Sequence, residues 1–108
     1  MAMIVKTPKP PYYTVVFTSV RTNIDEGYTE MNDSLWEDAQ KLDGFIGSES
    51  LRNEDGFGVT VLYFKDMETI HEWSKYQKHL RAKEMGKQKW YADYRVRIAK
   101  VEHEYGMK

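Results

Sequence analysis

His79 is the side chain in this sequence best suited to proton transfer, because an imidazole changes its charge near neutral pH. It lies in a segment whose apolar residues recur every three or four positions, a spacing typical of an amphipathic helix. On that helix Tyr76, His79 and Lys83 share one flank. We therefore predict that His79 is catalytic and that Tyr76 and Lys83 contact a substrate. The alternative is an exposed histidine on a solvated helix.

Aromatic side chains are the second group of candidate site residues, because proton transfer with a bound substrate is helped by a closed apolar pocket. Trp73 precedes His79 on the same predicted helix, and we assign it to the catalytic site, with simple core packing as the alternative. Tyr63 and Phe17 lie on two predicted strands and are assigned to substrate binding. A tyrosine on a sheet can donate a hydrogen bond to a bound ligand, although it can equally have a purely structural role.

Several classes of chemistry are excluded by composition and motifs. The chain has no cysteine, so disulfides, thiolate catalysis and cysteine-based metal sites are ruled out. It has neither a phosphate-gripping glycine-rich loop nor an H-E-x-x-H metal motif. Six basic residues and one Glu lie between Lys75 and Lys89, but no aromatic platform accompanies them, and we predict no nucleic-acid partner.

The expected location follows from hydropathy. No segment approaches the roughly 20 apolar residues that a membrane-spanning helix needs, and the first residues have no apolar core of a secretion signal. We therefore expect no membrane association and a cytoplasmic protein.

The elements that must position these side chains follow the order β-α-β-β-α-β. Asn53 to Gly56 form a turn between two strands, and Asp66 is placed to cap the second helix. The plan is ferredoxin-like α+β, with two helices on one face of a four-stranded antiparallel sheet. A bulge is expected between Ile98 and Ala99. The predicted segments are a flexible arm at 1–11 and a domain at 12–105, with strands at 12–21, 45–52, 57–65 and 91–105 and helices at 27–42 and 67–89.

The face of the sheet that the two helices leave uncovered predicts a homodimer. The third strand is apolar on both alternations, with Phe57, Val59, Val61 and Tyr63 on one and Leu62 and Phe64 on the other. Strands that are apolar on both faces are usually buried on both. A second copy of the chain is the simplest cover, and we place Tyr13, Val15 and Phe17 of the first strand on this face.

The C-terminal half contains two motifs, a W-x-x-x-x-x-H segment and a G-x-x-x-W-Y-x-x-Y-R-x-x-x-A-x-V-E tail. Their residues are Trp73 with His79, and Gly86, Trp90, Tyr91, Tyr94, Arg95, Ala99, Val101 and Glu102. With these motifs the chain resembles the antibiotic-biosynthesis-monooxygenase family, whose domains form dimeric α+β barrels. The resemblance extends over roughly Tyr12 to Glu104, with supporting segments DEGYTEM and DGFIGSES nearer the start.

This resemblance implies a cofactor-independent monooxygenase that oxidises a small aromatic or quinol-like molecule with dioxygen. Two alternatives stay open, a haem-binding or haem-degrading protein and a non-catalytic dimeric ligand-binding module. Haem-degrading members carry a ligating His on this helix ten residues after the Trp, and an Asn on the first strand. Here Lys83 stands at that spacing and Tyr12–Arg21 contains no Asn, which argues against haem.

Overall fold

A computed structural model of the chain describes residues 3–75, 84 and 89–107. The chain runs strand, helix, strand, strand, helix, strand, as the hydrophobic spacing predicts. Neither helix within the described ranges is long and apolar enough to cross a membrane. The elements are β1 Tyr12–Arg21, α1 Tyr28–Gln40, β2 Phe45–Arg52, β3 Phe57–Phe64, α2 Met67–Ser74 and β4 Tyr91–Val101.

The four strands form one antiparallel sheet in the order β2-β3-β1-β4. This order is the ferredoxin-like plan, which confirms the predicted fold class. β1 and β3, rich in β-branched and aromatic residues, are central, while β2 and β4 are the edges. The predicted continuation of the second helix towards Lys89 lies almost entirely outside the described residues.

The predicted turn at Asn53 to Gly56 and the predicted helix cap at Asp66 are both confirmed. In the β2–β3 hairpin, the Asn53 N–H donates to the Phe57 carbonyl at 2.7 Å, and Gly56 has a φ of 93°, a conformation that favours glycine. At the start of α2, Asp66 Oδ1 accepts hydrogen bonds from the Thr69 N–H at 2.8 Å and from its hydroxyl at 2.7 Å. These bonds satisfy an otherwise unpaired donor of the first helical turn.

The core lies between the helices and one face of the sheet. Val15, Leu62, Phe64 and Ile70 form its buried centre, and partly buried Tyr13, Trp36, Phe45, Met67 and Trp73 pack around them. The assignment of Tyr13, Val15 and Phe17 to the uncovered face is therefore wrong. The alternation of β1 has the opposite phase, because Val15 pairs with Leu62 opposite the helix residue Ile70.

The helix-free face instead carries the even-numbered residues of β1 and the odd-numbered residues of β3. Val16 and Val61 are directly paired, as are Val20 and Phe57. Leu51 on β2 is 76% exposed and Phe57 is 44% exposed. This face thus presents large apolar side chains to solvent.

The irregularity in β4 lies elsewhere than expected. The pairing of β1 with β4 is regular through Ile98 and Ala99. The register shifts instead near the start of β4, where Val20 pairs with Asp93 but Arg21 pairs with Tyr91. Ala92 is therefore the extra residue of the bulge. The strand also ends at Val101 rather than Tyr105, because Val101 pairs with Tyr12, the first residue of β1. Beyond that point β1 offers no further partner.

The N-terminal segment preceding β1 contacts the helix-free face. The Val5 N–H donates to Glu49 Oε2 at 3.0 Å, and the Thr7 hydroxyl donates to Glu104 Oε1 at 2.6 Å. The Val5 side chain also lies against Gly47, where a Cβ would come within 2.9 Å of it. These contacts secure the segment across one end of the sheet. Its flexibility and the domain boundary at 12–105 stay predictions.

Candidate functional site

A cleft of about 860 Å³ opens between α1 and strands β2 and β3. Its lining combines aromatic rings with hydroxyl, amide and guanidinium groups, which suits a ligand that has both apolar and polar groups. The α1 side supplies Tyr28, Asn32, Trp36 and Gln40, and the sheet side supplies Phe45, Ser48, Ser50, Arg52 and Thr60, among others.

The helix presents its lining residues because they recur every four positions. Residues four apart lie on the same side of an α-helix, so Tyr28, Asn32 and Trp36 form one stripe. Near its C-terminal end this stripe meets the core, where the Trp36 ring lies 6.5 Å from that of Phe45. Packing against the core therefore fixes the orientation of the helix over the cleft.

The strand side of the cleft follows from the period of two in a β-strand. Ser48, Ser50 and Arg52 alternate along β2 towards the helices, and Ser50 pairs with Thr60 on β3. The two hydroxyl groups of that pair lie 2.8 Å apart and are hydrogen-bonded. The floor of the cleft is consequently polar where the walls are aromatic.

Arg52, the last residue of β2, lies at one end of this floor. Its Nη1 donates to the Gly56 carbonyl at 2.5 Å and its Nη2 to the Ser19 hydroxyl at 2.9 Å. The guanidinium lies directly over Gly58, where a Cβ would be 2.7 Å from Cζ. Both acceptors are neutral, and no carboxylate in the described part of the chain forms an ion pair with Arg52.

A cluster of aromatic rings adjoins the cleft at Tyr28. The Arg21 guanidinium lies 3.4 Å from the centre of the Tyr28 ring, a cation–π contact. The Tyr91 hydroxyl donates a long hydrogen bond of 3.5 Å to the Tyr28 hydroxyl. Burial, followed by this contact with Tyr28, raises the pKa of Tyr91 well above its ordinary range. Trp90 closes the cluster, since its Nε1 donates to the Glu26 carbonyl at 2.9 Å.

A second polar cluster lies on the opposite, helix-free face. The Tyr63 hydroxyl donates to Glu49 Oε1 at 2.5 Å, and the Tyr12 hydroxyl donates to Glu104 Oε1 at 2.6 Å. Burial and the bond to Glu49 raise the pKa of Tyr63 to about 12. The same bond, together with the Val5 N–H, lowers the pKa of Glu49. This cluster anchors the N-terminal segment.

The structure does not bring all of the predicted site residues together. Trp73 packs in the core, with its ring centre 5.8 Å from that of Phe64. Phe17 lies on the same side of the sheet, with its ring centre 5.3 Å from that of Tyr91. Tyr63 lies on the other face, so it cannot line a pocket shared with Phe17. The predicted site residues Tyr76, His79 and Lys83 lie outside the described residues.

Sequence reasoning did not single out Tyr28, Trp36 or Arg52 as site residues. The four-residue spacing of Tyr28, Asn32 and Trp36 within a predicted helix was an available signal, because it indicates a stripe of mixed aromatic and polar character. Arg52 gave no such signal. Its neighbours Ser19 and Gly58 are identified only once the pairing register of the strands is known.

No group of three acidic or histidine side chains among residues 3–75, 84 and 89–107 could hold a metal ion. His71 and His103 are exposed and do not line the cleft, and Asn23 lies beyond the end of β1.

Comparisons with known proteins give one curated relative. The chain is 43% identical over 104 residues to the uncharacterized protein YqjZ of Bacillus subtilis strain 168, covering 96% of this chain and 91% of the relative. No family model matches the chain.

Solved structures share the fold at low sequence identity. SnoaB, a cofactor-independent oxygenase from Streptomyces nogalater solved in a mutant form, has a TM-score of 0.71 at 10% identity, covering 86% of this chain and 95% of that one. An antibiotic biosynthesis monooxygenase has a TM-score of 0.67 at 10% identity, covering 81% and 95%. Protein SO0527 from Shewanella oneidensis has a TM-score of 0.72 at 14% identity, covering 84% and 91%.

Proposed function

The chain belongs to the same family as YqjZ of Bacillus subtilis and has the fold of antibiotic-biosynthesis monooxygenases, and from this we propose that it is a cofactor-independent monooxygenase. Its substrate is a small phenolic or quinol-like aromatic molecule, and its co-substrate is dioxygen. The observation that carries the proposal is the cleft between α1 and the sheet, where Tyr28 and Trp36 offer aromatic surface beside hydrogen-bonding groups.

The cleft residues suit the binding of an electron-rich ring. Trp36 offers a flat apolar surface against which an aromatic substrate stacks. Tyr28 accepts the hydrogen bond of Tyr91, so its own hydroxyl hydrogen is left to donate to a substrate oxygen. Such a donor stabilises a phenolate.

The reaction balances without a metal or a flavin. The bound phenolate, in its carbanion form, transfers an electron to dioxygen, and the two fragments combine to a peroxide on the substrate carbon. Loss of water from a carbon that carried two hydrogens leaves a carbonyl, so one oxygen atom enters the product and the other leaves as water. The protein binds, orients and deprotonates the substrate.

His79 is our proposed proton acceptor, with Trp73, Phe17, Tyr76 and Lys83 as surrounding groups. Trp73 and Phe17 support this proposal by lying on the helix side of the sheet, as the cleft does. A His79→Gln variant tests it, since the amide keeps similar size and polarity but accepts no proton at neutral pH. We expect oxygen uptake to fall at least about a hundredfold, and uptake at the unmodified rate would remove His79 from the mechanism.

Oxygen consumption is the direct test of the proposed function. Anthrone and naphthohydroquinone are suitable substrates, and the rate should be unaffected by a metal chelator. Tyr28→Phe keeps the ring under Arg21 but removes the donor, and should lower the catalysed rate about a hundredfold. Tyr105→Phe is the matched control because Tyr105 is fully exposed. Binding of these compounds without any catalysed uptake would instead identify a non-catalytic ligand-binding module.

The partner we propose is a second copy of the chain, covering the helix-free face. Val16 and Val61 pair in its centre, and Leu51 and Phe57 are the exposed large apolar side chains at one end. Apolar surface of this extent is unfavourable in water and is a common signature of a subunit interface. The charged side chains on this face include Glu49 on β2 and the exposed Arg95 and Arg97 on β4.

Sedimentation analysis tests the dimer. The unmodified protein should sediment as a dimer at micromolar concentration, and Leu51→Glu should shift it towards the monomer by placing a charge in the interface. Ile24→Glu is the matched control, because Ile24 is an exposed apolar residue in the loop before α1. A monomeric wild type, or equal effects of the two variants, would refute the interface.

A further inference from the structure

We propose that Arg52 binds an acidic substituent of the substrate, so that the cleft selects aromatic carboxylates over neutral aromatics. This inference rests on the proposed function only in taking the cleft as the substrate site. It assigns to Arg52 a binding role that the oxidation itself does not require.

The guanidinium of Arg52 has hydrogen-bond donors that the folded chain leaves unused. An arginine has five N–H donors, and in the described chain Arg52 makes two hydrogen bonds, both to neutral oxygens of Gly56 and Ser19. Arg21 provides the contrast, since it bonds both a carbonyl and the Asp25 carboxylate at 2.8 Å. A half-buried cation without a carboxylate is an unfavourable arrangement in the free protein, which an anionic ligand would relieve.

The guanidinium of Arg52 is also held rigidly. It donates its two hydrogen bonds to acceptors in separate parts of the fold, Gly56 in the β2–β3 turn and Ser19 on β1, and its flat face rests on the backbone at Gly58. Any side chain at Gly58 would occupy that space. A planar donor group that is fixed in advance loses little entropy when it binds a carboxylate. Its planar shape is also the geometry that a two-bond contact with a carboxylate requires.

The neighbours of Arg52 within the cleft supply further binding groups. Ser50 and Arg52 lie on the same side of β2, with Thr60 hydrogen-bonded to Ser50. Hydroxyl groups beside a guanidinium supplement the binding of carboxylate oxygens. Tyr28 and Trp36 line the same cleft from the α1 side. Together these groups fit a ligand with an aromatic body and one carboxylate.

The test uses anthraquinone carboxylate and its neutral carboxamide, two probes already at the oxidation level of a product and therefore not turned over. Isothermal titration of the full-length protein should give a dissociation constant about tenfold lower for the carboxylate than for the carboxamide, as one charge-assisted contact provides. Arg52→Gln should abolish this preference. Lys65→Gln, which removes an exposed positive charge outside the cleft, should keep it.

A second variant keeps Arg52 and its structural hydrogen bonds. Ser50→Asp introduces a carboxylate beside the guanidinium on the same strand face and should also abolish the preference. Equal affinity of the two probes for the wild type, no binding of either, or a preference that survives both Arg52→Gln and Ser50→Asp would overturn the inference. A preference for the carboxylate without oxygen uptake on any substrate would instead overturn only the proposed oxidation.

Discussion

The hydrogen bond between Tyr63 and Glu49 should contribute measurably to stability, and Tyr63→Phe removes it without changing the ring. The two oxygens are 2.5 Å apart, and the acceptor is a carboxylate that also holds the Val5 N–H. A hydrogen bond to a charged group contributes about 1.5–3 kcal/mol, and the partial exposure of this pair favours the lower end of that range. We expect a loss of about 1–2 kcal/mol and a Tm lower by about 5–10 °C.

The effect should depend on pH in a defined direction. The pKa of Glu49 is lowered in the folded protein, first by the Tyr63 hydroxyl. The contribution of Glu49 to the free energy of unfolding is therefore fully present above its ordinary pKa of 4.5, and it is lost as the pH falls through the folded value. The pKa of Tyr63 is raised to about 12, so its contribution is present below the ordinary value of 10.0 and is lost as the pH rises through about 12. The difference between wild type and Tyr63→Phe should therefore be largest near neutral pH.

Urea unfolding at neutral and acidic pH measures this difference, and ultraviolet titration of tyrosinate follows the alkaline side. Tyr13→Phe is the matched control, because Tyr13 lies on the helix side of the same sheet and packs against the core. Its hydroxyl has no hydrogen bond within the described residues. Equal losses for the two variants, or a loss for Tyr63→Phe that is the same at acidic and neutral pH, would refute the reasoning.

Three further substitutions probe other parts of the fold. Phe64→Ala empties the most buried aromatic position of the core and should cost about 3–5 kcal/mol in urea unfolding. Asp66→Ala removes the cap of α2 and should lower the free energy of unfolding by about 1 kcal/mol. Because the Thr69 hydroxyl lowers the pKa of Asp66, this loss should shrink as the pH falls through the pKa of Asp66 in the folded protein. Gly47→Ala places a methyl group against Val5 and should release the N-terminal segment, measured as faster tryptic cleavage at Lys6.

Much of the fold was predictable because its signals are local. The two periods of hydrophobicity, 3.6 for helices and 2 for strands, separate the elements without knowledge of their neighbours. The cap at Asp66 and the turn ending at Gly56 depend only on residues within a few positions. Element order then leaves the ferredoxin-like arrangement as the natural solution.

The remainder required the pairing of strands that are distant in sequence. Tyr13 and Val15 were assigned to the wrong face because β1 is apolar on both alternations, and only contact with Ile70 distinguishes them. Arg52 bonds to Ser19, 33 positions away, so no local pattern identifies it as part of a site. The bulge at Ala92 likewise arises from the pairing with β1 rather than from the apolar pattern of β4 itself.

The position of β4 at the edge of the sheet has a consequence for behaviour at high concentration. A long strand with one free side can recruit another strand and start fibril growth. Here Asp93, Arg95, Arg97 and Lys100 place charges along its exposed length. Stacking identical copies in register would bring like charges together at every layer, about 4.8 Å apart. Neutralising Arg95 and Arg97 should therefore shorten the lag time of aggregation.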